Sequence, residues 1–555
     1  MARTGRVGRA LLLVTVLVGC NNASPVDSNG TGGASAGSGG GVSGGGVSGT
    51  GGDAAAGRGG ATAGTGGAST AGTGGPTAGS GGATAGTGGA GGATAGTGGA
   101  LAGRGGGGGG GGGGGSTAGT GGATAGRGGS GGATAGRGGS GGSGGSGGRG
   151  GSGGTTGGTG GATAGTGGTT TVIANAIYAA PNGSASAAGT IDNPTTLASA
   201  VTKVNAGGTI YLRGGKYALT STVSLTKSGS SSSPINLLAY PLDAERPLLD
   251  FTNEASGSRG MSLSGSYWHL YGIDVFSAGD NCLYVSGASN TIEFMSFSEC
   301  EDSGLQLGGG AANNVILNCD SYFNADASQG NADGFASKLD VGSGNKFVGC
   351  RAWNNSDDGW DGYLRGADNV STSYENCWAI DNGKLKSGAN GTGDGNGFKT
   401  GGSDDKLLRH NATYLRCLSA GNVHDGFDHN SNRGNVTIRN CAAHNNGNNI
   451  NFSTTNIAAS LTIKNTISLG NNGTLNATTT DITNNSWQNG LSATTADFTS
   501  VDISLLKSKR KSDGSLPDID YFKLVPGSDL RNAGIDIGQP YNGSAPDLGP
   551  FESVE

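Results

Sequence analysis

From Tyr267 onward, a matched set of residues recurs every 24 to 40 positions, and this repeat restricts the fold more than any other feature. Short apolar runs end at Met295, Cys319, Cys350, Cys377, Cys417, Cys441 and Thr466, with spacings of 24, 31, 27, 40, 24 and 25 residues. Three positions before each stands a large apolar residue: Ile292, Ile316, Phe347, Tyr374, Tyr414, Ile438 and Ile463. Two positions after each stand Phe297, Ser321, Ala352, Ala379, Ser419, Ala443 and Ser468, nearly all small. A β-sandwich would alternate apolar and polar residues without such columns. A unit of about 24 residues, holding several short strands split by bends, stacks like on like only in a solenoid. Asn318, Asn376, Asn440 and Asn465 recur at the bends, where Asn satisfies local backbone groups and tolerates a left-handed conformation. The expected fold is therefore all-β, a right-handed parallel β-helix. Asp192-Asn193-Pro194 opens a segment with Leu197, Ala200, Val201 and Val204 at helical spacing, a short helix expected to cap one end.

The first 170 residues are a different material. Of the 122 glycines, 73 fall between Asn21 and Thr170. That stretch has no Gly-X-Y period and almost no aromatic or branched side chains, so it cannot bury enough apolar surface to offset the entropy of ordering. A coil of this length and composition spans roughly 60 to 75 Å root-mean-square and suits a tether. Ahead of it, Arg3, Arg6 and Arg9 precede the apolar run Ala10 to Val18, too short to cross a bilayer and shaped like an export signal. The run ends in Leu17-Val18-Gly19-Cys20, which resembles a bacterial lipobox, and Asn21 fits outer-membrane sorting. The expected organisation is a signal peptide over 1–19, a lipidated Cys20 and disordered linker over 20–170, and a folded domain over 171–555. The expected location is the outer membrane or cell surface, with lipid at Cys20 as the only membrane contact and an ordinary secreted form as the alternative.

Beyond residue 170, carboxylates outnumber Lys and Arg by 37 to 25, which argues against nucleic acid as partner and suggests bound cations. A monomer is expected. Seven cysteines lie in the domain, five at one repeat position and Cys282 and Cys300 besides. Most read as buried packing residues, although export permits disulfides, and none has zinc spacing.

A second column carries the chemistry. Asp333-Gly334-Phe335-Ala336, Asp358-Gly359-Trp360-Asp361, Asn396-Gly397-Phe398-Lys399 and Asp425-Gly426-Phe427-Asp428 align coil by coil. If the aromatic points inward, strand alternation turns Asp361, Lys399 and Asp428 outward on three successive coils about 4.8 Å apart. Lys399 then stands beside Asp361, and Asp333 against Asp358. The long spacings fall in this stretch alone, so inserted loops are expected to wall a groove here. Each Asp-Gly pair by itself also reads as turn chemistry. Asp333, Asp357, Asp358 and Asp361 stacked in register, however, repel one another unless a cation intervenes, and hard oxygen ligands on flexible bends suit Ca²⁺.

The segments NADGFASK (331–338), NNSDDGWDGY (354–363) and GNGFKTGG (395–402) resemble the signatures of polysaccharide lyase family 9, pectate lyases built as right-handed parallel β-helices. The resemblance runs from about Ile177 to Asp547-Leu548-Gly549. It implies calcium ligands at Asp333, Asp357, Asp358 and Asp361, a catalytic base at Lys399 and an acidic polysaccharide, pectate, as substrate. β-Elimination from a 4-linked uronan needs a cation to neutralise the carboxylate beside the C5 proton and a neutral amine to take that proton. An unperturbed Lys has a pKa of about 10.4, so alkaline activity is expected. Lys338 and Arg365 are candidate cations for further uronate carboxylates. Lyases of rhamnogalacturonan or a sheath glycan, an inverting hydrolase and a calcium-binding surface adhesin are the competing readings. His424 and His429 are expected at the groove rim, and Lys507, Lys509, Arg510 and Lys511 as a solvated loop.

Overall fold

The computed structural model describes residues 172–554. The signal, Cys20 and the linker all lie outside them. Strands of three to seven residues, with two shorter ones at the site, form three parallel sheets of 12, 10 and 9 strands. The chain visits them in rotation. In one coil, Thr291–Glu293 lies in the 12-stranded sheet, Ser296–Ser298 in the 10-stranded sheet and Leu305–Leu307 in the 9-stranded sheet. This is the right-handed parallel β-helix expected from the repeat.

The columns stack in register. Ile292 pairs with Ile316, and the ladder continues through Phe347, Tyr374, Tyr414 and Ile438 to Ile463. Phe297 likewise leads to Ser321, Ala352, Ala379, Ser419, Ala443 and Ser468. The cysteine column is fully buried between them. Facing aromatics reinforce the middle coils: Tyr374 and Tyr414 stack with ring centroids 4.7 Å apart, and Trp360 and Phe398 at 4.8 Å. Such pairs stabilise beyond their buried area, by about 1 kcal/mol each.

Every bend between the 12- and 10-stranded sheets in these coils uses a left-handed residue. Asn318, Asn376, Asn440 and Asn465 have φ of 53°, 53°, 47° and 53°, and Gly349 has 63°. Phe294 and Arg416 adopt φ of 51° and 53° at the same position, so the coil geometry overrides the cost to a bulky residue. A second bend, before the 9-stranded sheet, holds a buried Asn ladder that the repeat analysis did not single out. Asn324, Asn355, Asn382 and Asn422 each donate through Nδ2 to the Oδ1 of the next coil's Asn, at 2.9, 2.9, 2.9 and 2.8 Å. Each link satisfies both buried amides, and the ladder sets the coil spacing just before the site.

The helix Leu197–Lys203 forms as expected, with Leu197 and Ala200 buried over the first strands. Its N-cap is Thr196, whose side chain accepts from Ser199 N, rather than a residue of the Asp-Asn-Pro turn. Cys282 and Cys300 form a disulfide, while Cys319, Cys350, Cys377, Cys417 and Cys441 are buried free thiols.

The basic segment near residue 510 is not the solvated loop expected. The C-terminal chain folds back over the 10-stranded sheet, placing Phe498, Leu506, Tyr521 and Phe522 on Trp378, Ile380, Leu418 and Ala420. Buried Arg510 pins it, donating to Asp320 Oδ1 at 2.7 Å and to the carbonyls of Cys319 and Gly349 at 3.0 and 2.8 Å. Arg351 holds the other oxygen of Asp320 at 2.8 Å. Burial pushes the Asp320 carboxyl up, but the two guanidinium groups outweigh it and hold it below the usual range. Lys507 Nζ reaches Asp381 and Asn354, both at 2.7 Å. Arg510→Ala should cost about 3 kcal/mol, since it strips a buried carboxylate of one partner and uncaps the carbonyls of Cys319, Gly349 and Gly514. Denaturant unfolding checks this, and a loss below about 1 kcal/mol would mean that the contacts are not coupled to the fold.

Candidate active site

Four consecutive strands of the 9-stranded sheet carry the second column: Phe335–Ser337, Trp360–Asp361, Phe398–Lys399 and Asp425–Asp428. Phe335, Trp360, Phe398 and Phe427 pair in register and point into the core. Side chains at the next position therefore point away from it, and Ala336, Asp361, Lys399 and Asp428 form one outward ladder. The Gly before each aromatic is required by close approach. A Cβ on Gly359 would lie 2.5 Å from Gly397 O, and one on Gly397 2.2 Å from Ser419 Oγ. Asp333, Asp358, Asn396 and Asp425 stand just before these glycines, and Asp358 N donates to Asp333 Oδ1 at 3.2 Å.

Outward does not mean solvated here. Asp361 and Lys399 are only 4 and 7% exposed: Asp394 of the inserted segment 384–396 closes on Lys399, while Lys338 and the Tyr363 N–H close on Asp361. Within that segment, Asp394 N donates to Asp357 Oδ1 and Asn396 donates twice to Asp358 Oδ1, at 2.8 and 2.9 Å. Asp394 Oδ2 accepts from Lys399 Nζ at 2.8 Å, while Asp358 Oδ2 lies 3.1 Å from the same ammonium. Asp394 was not singled out from sequence because it lies in an insertion with no partner in neighbouring coils. Asn396 did carry a signal, as the one Asn in a column of Asp.

Among the described residues, Asp333, Asp357 and Asp358 bring ligand oxygens within 4.8 Å of one another, all buried. Asp361 stands apart from this group of three. Its Oδ2 lies 3.5 Å from Lys338 Nζ, and its Oδ1 accepts from Tyr363 N at 2.9 Å. Lys338 is not a surface cation: it is buried and salt-bridged to Asp333 Oδ2 at 2.9 Å, which also accepts from Ser303 Oγ. Five carboxylates thus face two ammonium groups. Burial, together with repulsion from other aspartates, pushes the Asp333 carboxyl up to about 6 and Asp357 to about 8, and raises Asp358 well above the usual carboxylate range. Burial alone would lower the Lys399 pKa, but Asp358, Asp394, Asp361 and Asp357 outweigh it and hold the ammonium charged well above the usual range. Ser356 Oγ is buried with no hydrogen-bond partner, and Asp358 Oδ2 has only the Lys399 ammonium at 3.1 Å. Concentrated carboxylate charge, an unpartnered buried hydroxyl and an all-oxygen donor set fit a hard divalent cation.

Arg365 pairs with Asp404 at the surface, Nε to Oδ2 at 2.7 Å. His424 is exposed, but His429 is buried and bonded through Nε2 to Asn432 O at 2.9 Å beside Phe452, so it is a packing residue and not part of a rim.

Residues 177–485 match the family model described as Pel9A-like, right handed beta helix region. The chain belongs to this family. It is similar to pectate lyase L of Dickeya chrysanthemi, 38% identical over 390 residues that cover 68% of this chain and 90% of that protein. The crystal structure of pectate lyase Pel9A superposes with a TM-score of 0.63 at 36% identity, covering 68% of this chain and 96% of that one. A rhamnogalacturonan lyase structure matches with a TM-score of 0.57 at 28% identity, covering 63% of this chain and 96% of the other. Membership places the chain among the polysaccharide lyases, as the signature segments implied.

Proposed function

We propose that the protein is a calcium-dependent pectate lyase that cleaves 4-linked galacturonan by β-elimination, with Lys399 as the base. The observation that carries this reading is the pairing of Lys399 with Asp361 in adjacent strands, beside three buried carboxylates that fit a dication. Asp333, Asp357, Asp358 and Asp361 would hold the calcium, which when bound supplies charge to neutralise the uronate carboxylate and acidify the C5 proton. Lys399 Nζ takes that proton. The C4–O4 bond breaks as the C4–C5 double bond forms, and the departing oxygen is protonated from water. Asp394 and Asp358 orient the amine. Both also favour its charged form, so the neutral base accumulates only as pH rises or as positive charge offsets the aspartates, and activity should be alkaline.

The test uses the full-length chain on polygalacturonate, with calcium or with chelator, following the ultraviolet absorbance of the unsaturated product. Absorbance that rises with calcium and stops with chelator is the expected result. New reducing ends without absorbance would indicate a hydrolase, and no cleavage of polygalacturonate or rhamnogalacturonan would favour a binding protein. The 28% identity to a rhamnogalacturonan lyase makes the second polymer the relevant comparator. We further propose that lipid at Cys20 anchors the enzyme to the outer membrane. Wild-type chain should fractionate with membranes and Cys20→Ser should not.

A further inference from the structure

Beyond the strands Trp360–Asp361 and Phe398–Lys399, the same two coils continue into segments joined by a parallel bridge between Leu364 and Ser403. Tyr363 sits two residues past Asp361 and donates its N–H to that carboxylate. Its ring is flanked by two cations, with Arg365 Cζ 5.9 Å and Lys406 Nζ 5.8 Å from its centroid. Arg365 is engaged by Asp404, which also accepts from the Tyr363 hydroxyl at 2.6 Å. Lys406 is not. Of the described lysines, only Lys406 and Lys509 have an ammonium with neither hydrogen bond nor ion pair.

The backbone at Lys406 is held in an unfavourable conformation. Its φ is 60°, a region where Gly or Asn is cheaper, by about 1 kcal/mol or more, than a long side chain. The position is nevertheless tied down. Lys406 N donates to Ser403 O at 3.2 Å, its carbonyl accepts from Arg433 Nε at 2.8 Å, and Ser403 Oγ accepts from Leu407 N at 3.1 Å.

We propose that Lys406, supported by Arg365 across the Tyr363 ring, forms a recognition subsite for a uronate carboxylate of the substrate chain beyond the bond being cut. This rests on the lyase reading above. The carboxylate would give the Lys406 ammonium the ion-pair partner it lacks, since Asp404 is taken by Arg365 and the Tyr363 hydroxyl and Asp405 by Ser403 Oγ and Leu407 N, and a chain lacking uronate at that position would lose the contact.

Steady-state kinetics on polygalacturonate with the full-length chain provide the test, using Lys406→Ala, Lys406→Asn and Lys406→Arg, with melting temperatures alongside. Lys406→Ala and Lys406→Asn should raise KM about tenfold, the size of one charge-assisted contact, with kcat within about twofold. The difference should shrink at high salt. Lys406→Asn should melt at or above the wild-type temperature, because Asn relieves the backbone, and this separates recognition from folding. Lys406→Arg should recover most of the lost affinity. An unchanged KM in Lys406→Ala and Lys406→Asn, or a KM in Lys406→Arg as poor as in Lys406→Ala, would overturn the subsite. A wild-type chain that neither binds nor cuts any uronan would overturn both the subsite and the lyase reading; an active wild type with an unaffected Lys406→Ala would sink the subsite alone.

Discussion

Lys399→Ala should lower kcat on polygalacturonate by about a thousandfold while the domain stays folded in calcium. The size follows from removing a positioned general base, which is worth about 10² to 10⁴. The fold should survive because the coil is held by Phe398 in the aromatic stack and by Gly397 packed on the next coil, neither of which depends on the ammonium. The same substitution removes one of the two ammonium groups that offset five carboxylates. Calcium affinity should therefore stay the same or rise, measured by calorimetry on the variant. Lost activity together with retained calcium binding separates a base from a structural ion pair. If the variant keeps full activity with normal binding, Lys399 is not the base.

The second large effect is on stability, and its sign follows from the carboxylates. Burial and mutual repulsion push the Asp333 and Asp357 carboxyls up to about 6 and about 8 in the fold and raise Asp358 well above the usual carboxylate range, against about 3.9 in an unfolded chain. Between pH 4 and 8 the folded state thus holds more protons than the unfolded state, so stability falls as pH rises through that window. For Asp357, 4% exposed and shifted from 3.8 to about 8, the contribution is on the order of several kcal/mol. In chelator, the melting temperature should drop by several degrees between pH 5 and pH 9. Calcium should restore it, more strongly at pH 9 than at pH 5, where protons compete for the same oxygens. Asp357→Asn should flatten the pH dependence in chelator and weaken the calcium response. A melting temperature in chelator that does not change with pH would mean that the carboxylates are not held against their repulsion, and the cation site would lose its physical basis.

Residue type alone made the architecture legible. Ile292 through Ile463, Phe297 through Ser468 and the cysteine column are the same residue kinds at the same phase of each coil, and each pairs in register with its neighbour. The site ladder was legible for the same reason: Asp361 and Lys399 follow aromatics that must point inward, so period-two alternation orders them on the opposite face. Asp333 against Asp358 follows from the same register. What the repeat did not carry is anything supplied by one coil only. Asp394 lies in an insertion, and no neighbouring position hints that it reaches Lys399. Lys338 looks like a surface cation on a polar strand end, yet it closes between Asp333 and Asp361 because the acidic cluster needs positive charge where water is excluded. Arg510 sits in a basic run that reads as solvated until the C-terminal chain is seen to return to Asp320, 190 residues earlier.

For this chain, the sequence by itself determined the coil, its register and the ladder that sets Asp361 beside Lys399, because stacking repeats local information at a fixed period and each residue needs only its own coil to find its place. The tertiary structure alone decided that segment 384–396 closes over Lys399, that Lys338 and Asp394 complete the charges of the ladder, and that Lys406 stands beside the Tyr363 ring with no ion-pair partner. Those outcomes depend on which insertion covers which face and how much water remains, and both are set by contacts between segments that share no period.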